Sequence, residues 1–257
     1  MIDFAVAQLG DPAFWTFAAI GFLAQLLDGM LGMGFGALSA LAMTVVGYPR
    51  AVVSASINGA KMFTGAISGI SHVFAGNIDW RLFAWLLTGG LTGALAGATV
   101  LTRFTAEWVG FAVDAYLLVV GLYILHRARR KPEATRVSAP RVAGVGTAAG
   151  FLEAMIGVWG PLATGNLVAL GTEPRHAVGT GNLAEAIIAI VVFTILVRHL
   201  GFDQLSVAIF GLLAGALVAA PLAAMLTARI PKRRLMLGVG GLVVAISLLR
   251  LWRDWTA

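Results

Sequence analysis

The chain has 257 residues, of which 59% are hydrophobic and only 12% charged, with a net charge of +6 and a mean hydropathy of +0.90. A soluble domain carries about a quarter charged residues, so this composition points to lipid; the basic residues sit in short loops, where they set topology and do not read as a nucleic-acid surface. Cysteine is absent, which excludes disulfides, thiolate metal sites and cysteine nucleophiles.

The first twelve residues contain Asp3 and Asp11 but neither lysine nor arginine. A secretory signal starts basic, so the N-terminus is expected to be mature. Helices are predicted over 13–31, 34–47, 51–75, 82–102 and 107–126, and, beyond the loop "RARRKPEATRVSAPR", over 142–158, 160–171, 175–198, 205–228 and 234–252. Uncharged runs at Leu82–Thr102, Ala154–Thr172 and Leu205–Ala228 reach the roughly 18–20 residues that cross a ~30 Å hydrocarbon core. No alternating apolar and polar strands occur, so a barrel is excluded. The fold class is an all-α polytopic membrane protein.

Within this apolar sequence the stretch "LLDGMLGMGFGALSAL", Leu26 to Leu41, breaks its own helix with glycines and an aspartate. A second copy follows. "DGMLGMGFG" from Asp28 faces "EAMIGVWGP" from Glu153, and "YPRAV" around Pro49 faces "EPRHAV" around Pro174, both at an offset of 125. A gap of one or two residues then sets Asn58 opposite Asn182 and Lys61 opposite Glu185. The expected domains are a first transmembrane repeat over 1–126, a basic linker over 127–141 and a second repeat over 142–257.

Orientation follows from the basic loops. The linker carries Arg127, Arg129, Arg130, Lys131, Arg136 and Arg141, and the loop 229–234 carries Arg229, Lys232, Arg233 and Arg234. With both in the cytoplasm, Arg81 and Arg175 join them, whereas Arg50, Arg103, Arg198, Arg250 and Arg253 fall on the far side. This places the linker 127–141 inside the cell. Each half then crosses an odd number of times whether its short pieces are re-entrant or spanning, so two inverted-topology repeats with broken or re-entrant helices are expected. Secondary transporters commonly use this plan, with substrate near the midplane at the repeat interface.

Broken helices are tolerated in a bilayer only where protein or a water-filled cavity receives their free backbone groups. New helices are expected to start near Gly34-Phe35-Gly36 and near Gly160-Pro161-Leu162, proline being favoured in a first turn. Each start offers unpaired N–H groups and a partial positive charge, a setting for a small anion. By contrast, Gly89, Gly93 and Gly97 read as helix-packing residues.

Ionisable residues inside spans are functional by default. Lys61, in mid-helix, is expected to supply positive charge to an anionic substrate while Glu185 carries a coupling proton, or else to form a permanent buried ion pair with Glu185 that holds the two halves together. A pair that substrate breaks satisfies both. Gly34, Phe35, Gly36, Asn58, Lys61, Trp159, Gly160 and Asn182 are the candidate substrate-binding residues; Asp28, Glu153 and Glu185 are the candidate proton-coupling residues. Asn58 and Asn182, with Ser54, Ser56, Thr180 and Asn166, can donate hydrogen bonds to oxyanion oxygens and serve equally as helix bridges; Asp28 and Glu153 serve equally as partners for local N–H groups. Asp114 faces either Lys61 or a cavity, and His72 reads as interfacial. Neither a metal nor a cofactor is expected.

The "DGMLGMGFG" opening, the X-Pro-Arg turn, the "SASINGAK" helix, "HVFAGNIDW" before the fourth long span, and the degenerate second copy together resemble the sulfite exporter TauE/SafE family. The resemblance covers nearly the whole chain and is strongest from Gly21 to Gly97; the long basic linker departs from it. It implies an inner-membrane permease for sulfite, sulfoacetate or other sulfonates, some members being assigned carboxylates. No "GxxxxGK[ST]" loop is present, which argues against a primary pump on this chain. An enzyme is not expected: no "HExxH" occurs, and neither His72 nor His176 has a nucleophile's context. The expected partners are a small anionic substrate and the lipid bilayer, with a homodimer left open and no nucleic acid. A passive anion channel or a small-carboxylate permease is the alternative.

Overall fold

The computed structural model describes residues 9–31, 34–103, 108–129, 138–227 and 232–256. Their regular structure is helical: α1 (Pro12–Leu31), α2 (Phe35–Val46), α3 (Arg50–Phe74), α4 (Trp80–Arg103), α5 (Trp108–Arg127), α6 (Ala139–Ile156), α7 (Ala163–Ala169), α8 (Pro174–Leu200), α9 (Asp203–Thr227) and α10 (Lys232–Thr256). Linker residues 130–137, and residues 228–231 at the second basic loop, lie outside the described residues.

α3 shows why this chain suits lipid. Its Ser54, Asn58 and Lys61 are buried, while Phe63, Ile67, Ile70 and Phe74 are exposed, Phe74 at 88%. Polar side chains at i, i+4 and i+7 thus form one inward stripe, and the apolar stripe faces outward, as a bundle in hydrocarbon requires. Among the described residues, Trp80–Arg103 and His176–Leu200 are both long and apolar enough to cross a membrane.

The largest packing seams each join one of the first five helices to one of the last five. α4 lies parallel to α6, with Gly89 on Ala143, Gly93 on Thr147 and Gly97 on Phe151; a Cβ at any of these glycines would overlap the partner's carbonyl oxygen. Small residues thus let the two backbones touch, the packing role expected for this triplet. α1 runs parallel to α9, with Phe17 at Gly211 and Phe22 at Gly215. α3 and α8 run antiparallel, with Gly59 against Phe193, Gly65 against Ala186 and Gly69 against Leu183. α5 and α10 are antiparallel too, with Gly121 at Val244 and Gly240 at Leu125.

The two short helices end in the same turn. Gly47 takes φ 102° after α2, and the Tyr48 N–H donates to the Met43 carbonyl at 3.1 Å; Gly171 takes φ 98° after α7, and the Thr172 N–H donates to the Leu167 carbonyl at 3.0 Å. This is the glycine-terminated Schellman pattern, and the prolines that follow, Pro49 and Pro174, stand at the starts of α3 and α8. At 1.5 Å per residue α2 is about 18 Å long and α7 about 10 Å, too short to cross a bilayer core.

The helix boundaries depart from expectation by a few residues, with one informative exception. The uncharged run Ala154–Thr172 is not a span: α6 stops at Ile156, and residues 157–162 form a break and turn before α7. Apolar length measures the surroundings of a segment and not the continuity of its helix.

Candidate functional site

Both glycine-rich stretches break their helices, and the breaks meet. α6 ends on Gly157, which adopts the left-handed region at φ 73° and ψ 29° and donates its N–H to the Glu153 carbonyl at 2.7 Å. A side chain there would be strained, and its Cβ would stand 2.7 Å from Ile57 Cγ2. At the other break, a Cβ on Gly36 would overlap the Gly157 carbonyl oxygen and lie 2.7 Å from Lys61 Nζ. Glycine at position 36 is what admits the second break to the first.

Lys61 sits at this junction, 5% exposed. Its ammonium donates to both carboxylate oxygens of Glu153 at 3.1 Å and to the Gly157 carbonyl at 2.9 Å. It also pairs with Glu185 Oε1 at 2.6 Å. An ammonium has three N–H groups, and here they meet one fully buried carboxylate, one helix-terminal carbonyl and one partly exposed carboxylate. Lysine at the negative end of α6 is also favoured by the helix dipole. The expected Lys61–Glu185 pair is present; the second carboxylate on the same lysine, Glu153, is not legible from the repeat alignment.

The end of α6 is fastened to α3 by further bonds. Ser54 Oγ donates to the Ala154 carbonyl at 2.6 Å, and Asn58 Nδ2 donates to the carbonyls of Ser54 at 2.9 Å and Glu153 at 3.3 Å. Ser54 is therefore a helix bridge. So is Thr180, whose hydroxyl accepts the Asp79 N–H at 3.0 Å, while Asn166 bonds within its own helix to the Leu162 carbonyl at 2.8 Å.

A cavity of about 120 Å³ lies between the breaks. Such a volume suits a small ion; pockets for drug-sized ligands run to roughly 300–1,000 Å³. The sequence-derived residues all line it except Asn58 and Glu153, which stand behind Lys61. Asn58 therefore corrects an expectation: its Nδ2 is engaged by carbonyls of α3 and α6, and the residue is not among those lining the cavity. Gln25, Thr64 and Ser68 line the cavity unannounced. They lie three residues before Asp28 and three and seven after Lys61, on the helix faces that already carry charge. Ser68 accepts a hydrogen bond from Asn182 Nδ2 at 2.8 Å.

Asp28 Oδ1 accepts the Phe35 N–H, the first of α2, at 2.9 Å. The first N–H of α2 is thus met by the chain's own carboxylate. At the second break, α7 starts only at Ala163, and residues 160–162 form a turn in which the Leu162 and Ala163 N–H groups donate to the Trp159 carbonyl at 3.0 and 2.9 Å. The expected fresh helix start near Gly160 is replaced by that turn. Trp159 is fully buried, walls the cavity, and donates Nε1–H to the Gly181 carbonyl at 3.1 Å. Asp114 is fully buried on α5 and is not among the lining residues. His72 Nδ1 contacts Asn77 Nδ2 at 3.1 Å. A wider groove of about 730 Å³ opens near Arg81, Trp85 and His176, away from Lys61, Glu153 and Glu185.

Comparison with known proteins shows the family. The model of the family described as sulfite exporter TauE/SafE matches residues 17–250. The chain is 34% identical over 251 residues to the probable membrane transporter protein YtnM of Bacillus subtilis (strain 168), covering 94% of this chain and 84% of the relative. It is 31% identical over 108 residues to the probable membrane transporter protein YjnA of the same organism, covering 41% of this chain and 42% of that one. No solved structure matches the chain.

Proposed function

The chain belongs to the sulfite exporter TauE/SafE family of membrane transporters, and from that premise we propose that it is a secondary transporter, a permease or exporter, for a small anion. The substrate is most simply sulfite or an organosulfonate, moved with coupling to protons or to the membrane potential. The observation that carries this reading is the buried Lys61 ammonium beside a 120 Å³ cavity at which two broken helices meet. A positive charge so placed is costly in a membrane unless paired, and a small oxyanion is the ligand that can compete for it. Gly34, Phe35, Gly36, Lys61, Trp159, Gly160 and Asn182 form the substrate compartment in this reading; Asp28, Glu153 and Glu185 are the acids available for coupling.

The same proposal takes 1–126 and 142–257 as inverted repeats, with α1–α2 and α6–α7 as re-entrant pairs. The antiparallel packing of α3 on α8 and of α5 on α10 supports inversion. The shared turn after the short helices α2 and α7, neither long enough to span, supports re-entry. Lys/Arg asymmetry supports a cytoplasmic linker 127–141, and the likeness to inner-membrane permeases of the family supports the inner membrane.

Flux into proteoliposomes tests the function. Uphill accumulation of sulfite or a sulfonate driven by an imposed pH gradient or potential is expected. Purely downhill flux would make the protein a passive anion channel, and uphill flux confined to small carboxylates would replace the substrate class.

A further inference from the structure

The two carboxylates on Lys61 are not equivalent. Glu153 is fully buried, stands behind the ammonium, and belongs to a helix end bolted to α3 through Ser54, Asn58 and Lys61 itself. Glu185 lines the cavity, its side chain is 15% exposed, and it approaches the ammonium from the cavity side. An anion entering the cavity therefore meets Lys61 only where Glu185 now sits. Among the described residues, the charged groups around Glu185 are Lys61 on α3, Glu153 on α6 and Asp28 on α1, and Asn182 precedes it by one turn on α8. Asp28 already holds the Phe35 N–H.

Charge balance limits what can be exchanged. With Glu153 and Glu185 ionised, Lys61 carries two negative partners for one positive charge, so an added anion is repelled. If Glu185 takes up a proton, the lysine keeps Glu153 and regains room for one negative charge. The neutral carboxyl then offers an O–H donor in place of a carboxylate.

Resting on the transporter reading above, we propose that a singly charged oxyanion replaces Glu185 on Lys61 while one proton neutralises Glu185. Each cycle then moves one monoanion with one proton and no net charge. Glu153 stays ionised and fixed throughout as the permanent counter-ion of Lys61. A doubly charged anion would require a second proton and is disfavoured at the same site.

The test uses the full-length protein in detergent and in proteoliposomes, with ethanesulfonate as monoanion and sulfoacetate as dianion. For the wild type, ethanesulfonate affinity should fall about tenfold per pH unit on the alkaline side, the slope of one linked proton. Uphill uptake should follow a pH gradient at clamped zero voltage and ignore a potential imposed without a pH gradient. Glu185→Gln, which mimics the neutral acid, should bind ethanesulfonate with a flat pH profile and lose pH-driven accumulation. A Glu185→Gln profile as steep as the wild type's, or wild-type uptake driven by voltage alone, overturns the exchange while leaving an anion transporter standing. Absence of binding and flux for sulfite, both sulfonates and small carboxylates in the wild type overturns the transporter reading as well.

Discussion

The two helix breaks carry the same kind of acid at matching positions yet resolve it differently. At the first, Asp28 turns along its own chain to the Phe35 N–H. At the second, Glu153 reaches across to Lys61 on another helix, and Gly157 follows it with its carbonyl. The cause lies one helix further on, where α3 carries a lysine and its counterpart α8 carries Glu185. A lysine recruits both a carboxylate and a helix C-terminus; a glutamate recruits neither, and the first break is left to satisfy itself. One residue difference between like segments thus makes one break rigidly ion-paired and leaves an acid facing the cavity at the other.

The largest effect should come from removing the cation that sets the two breaks apart. Lys61→Met leaves a buried carboxylate uncompensated, which costs on the order of 3–5 kcal/mol, and should abolish anion binding. Unfolding in detergent and ligand-induced thermal shift check both. Adding Glu153→Gln should recover part of the stability but none of the binding. From sequence alone this lysine reads either as a substrate group or as half of an ion pair with Glu185; its bonds to Glu153 and the Gly157 carbonyl tie it to the end of α6 as well.

Next in size is Gly36→Ala, which forces a methyl group onto the Gly157 carbonyl. Overpacking of this kind costs about 1–3 kcal/mol, and flux should fall with it. Gly144→Ala, where no atom lies within 4 Å of the added Cβ, should leave stability and flux near wild type. Equal losses in the two variants would mean that contact between the breaks does not matter.

Asp28→Ala should cost less, about 1–2 kcal/mol, for one backbone N–H left unpaired, whereas Asp28→Asn retains an oxygen for the same bond and should cost little. Melting temperatures separate them. If Asp28→Ala proved as damaging as Lys61→Met, the contrast between the breaks would collapse. Smallest of all, Trp159→Phe should cost about 1 kcal/mol by leaving the Gly181 carbonyl without its indole donor.

Much of this was legible because rare residues in an apolar chain are conspicuous. Lys61, Glu185, Asp28, Glu153 and the glycine stretches could be found by their mere presence, and the Pro49 and Pro174 turns by their shared spacing. Three things were not. Lys61 has a backbone partner, the Gly157 carbonyl, and backbone acceptors leave no mark on sequence. Thr64, Ser68 and Gln25 are polar residues that become meaningful only once their helix faces are known to meet a cavity. The second break was also misjudged in extent, since Gly160–Leu162 resembles a helix start but folds as a turn on Trp159.

The most direct test is an experimental structure of the protein with selenite, whose selenium can be located by anomalous scattering. The anion is expected about 3 Å from Lys61 Nζ, between the two breaks, with Glu185 withdrawn and Glu153 still paired. Selenium found away from this cavity, or found there with the Lys61–Glu185 pair intact, would contradict the account.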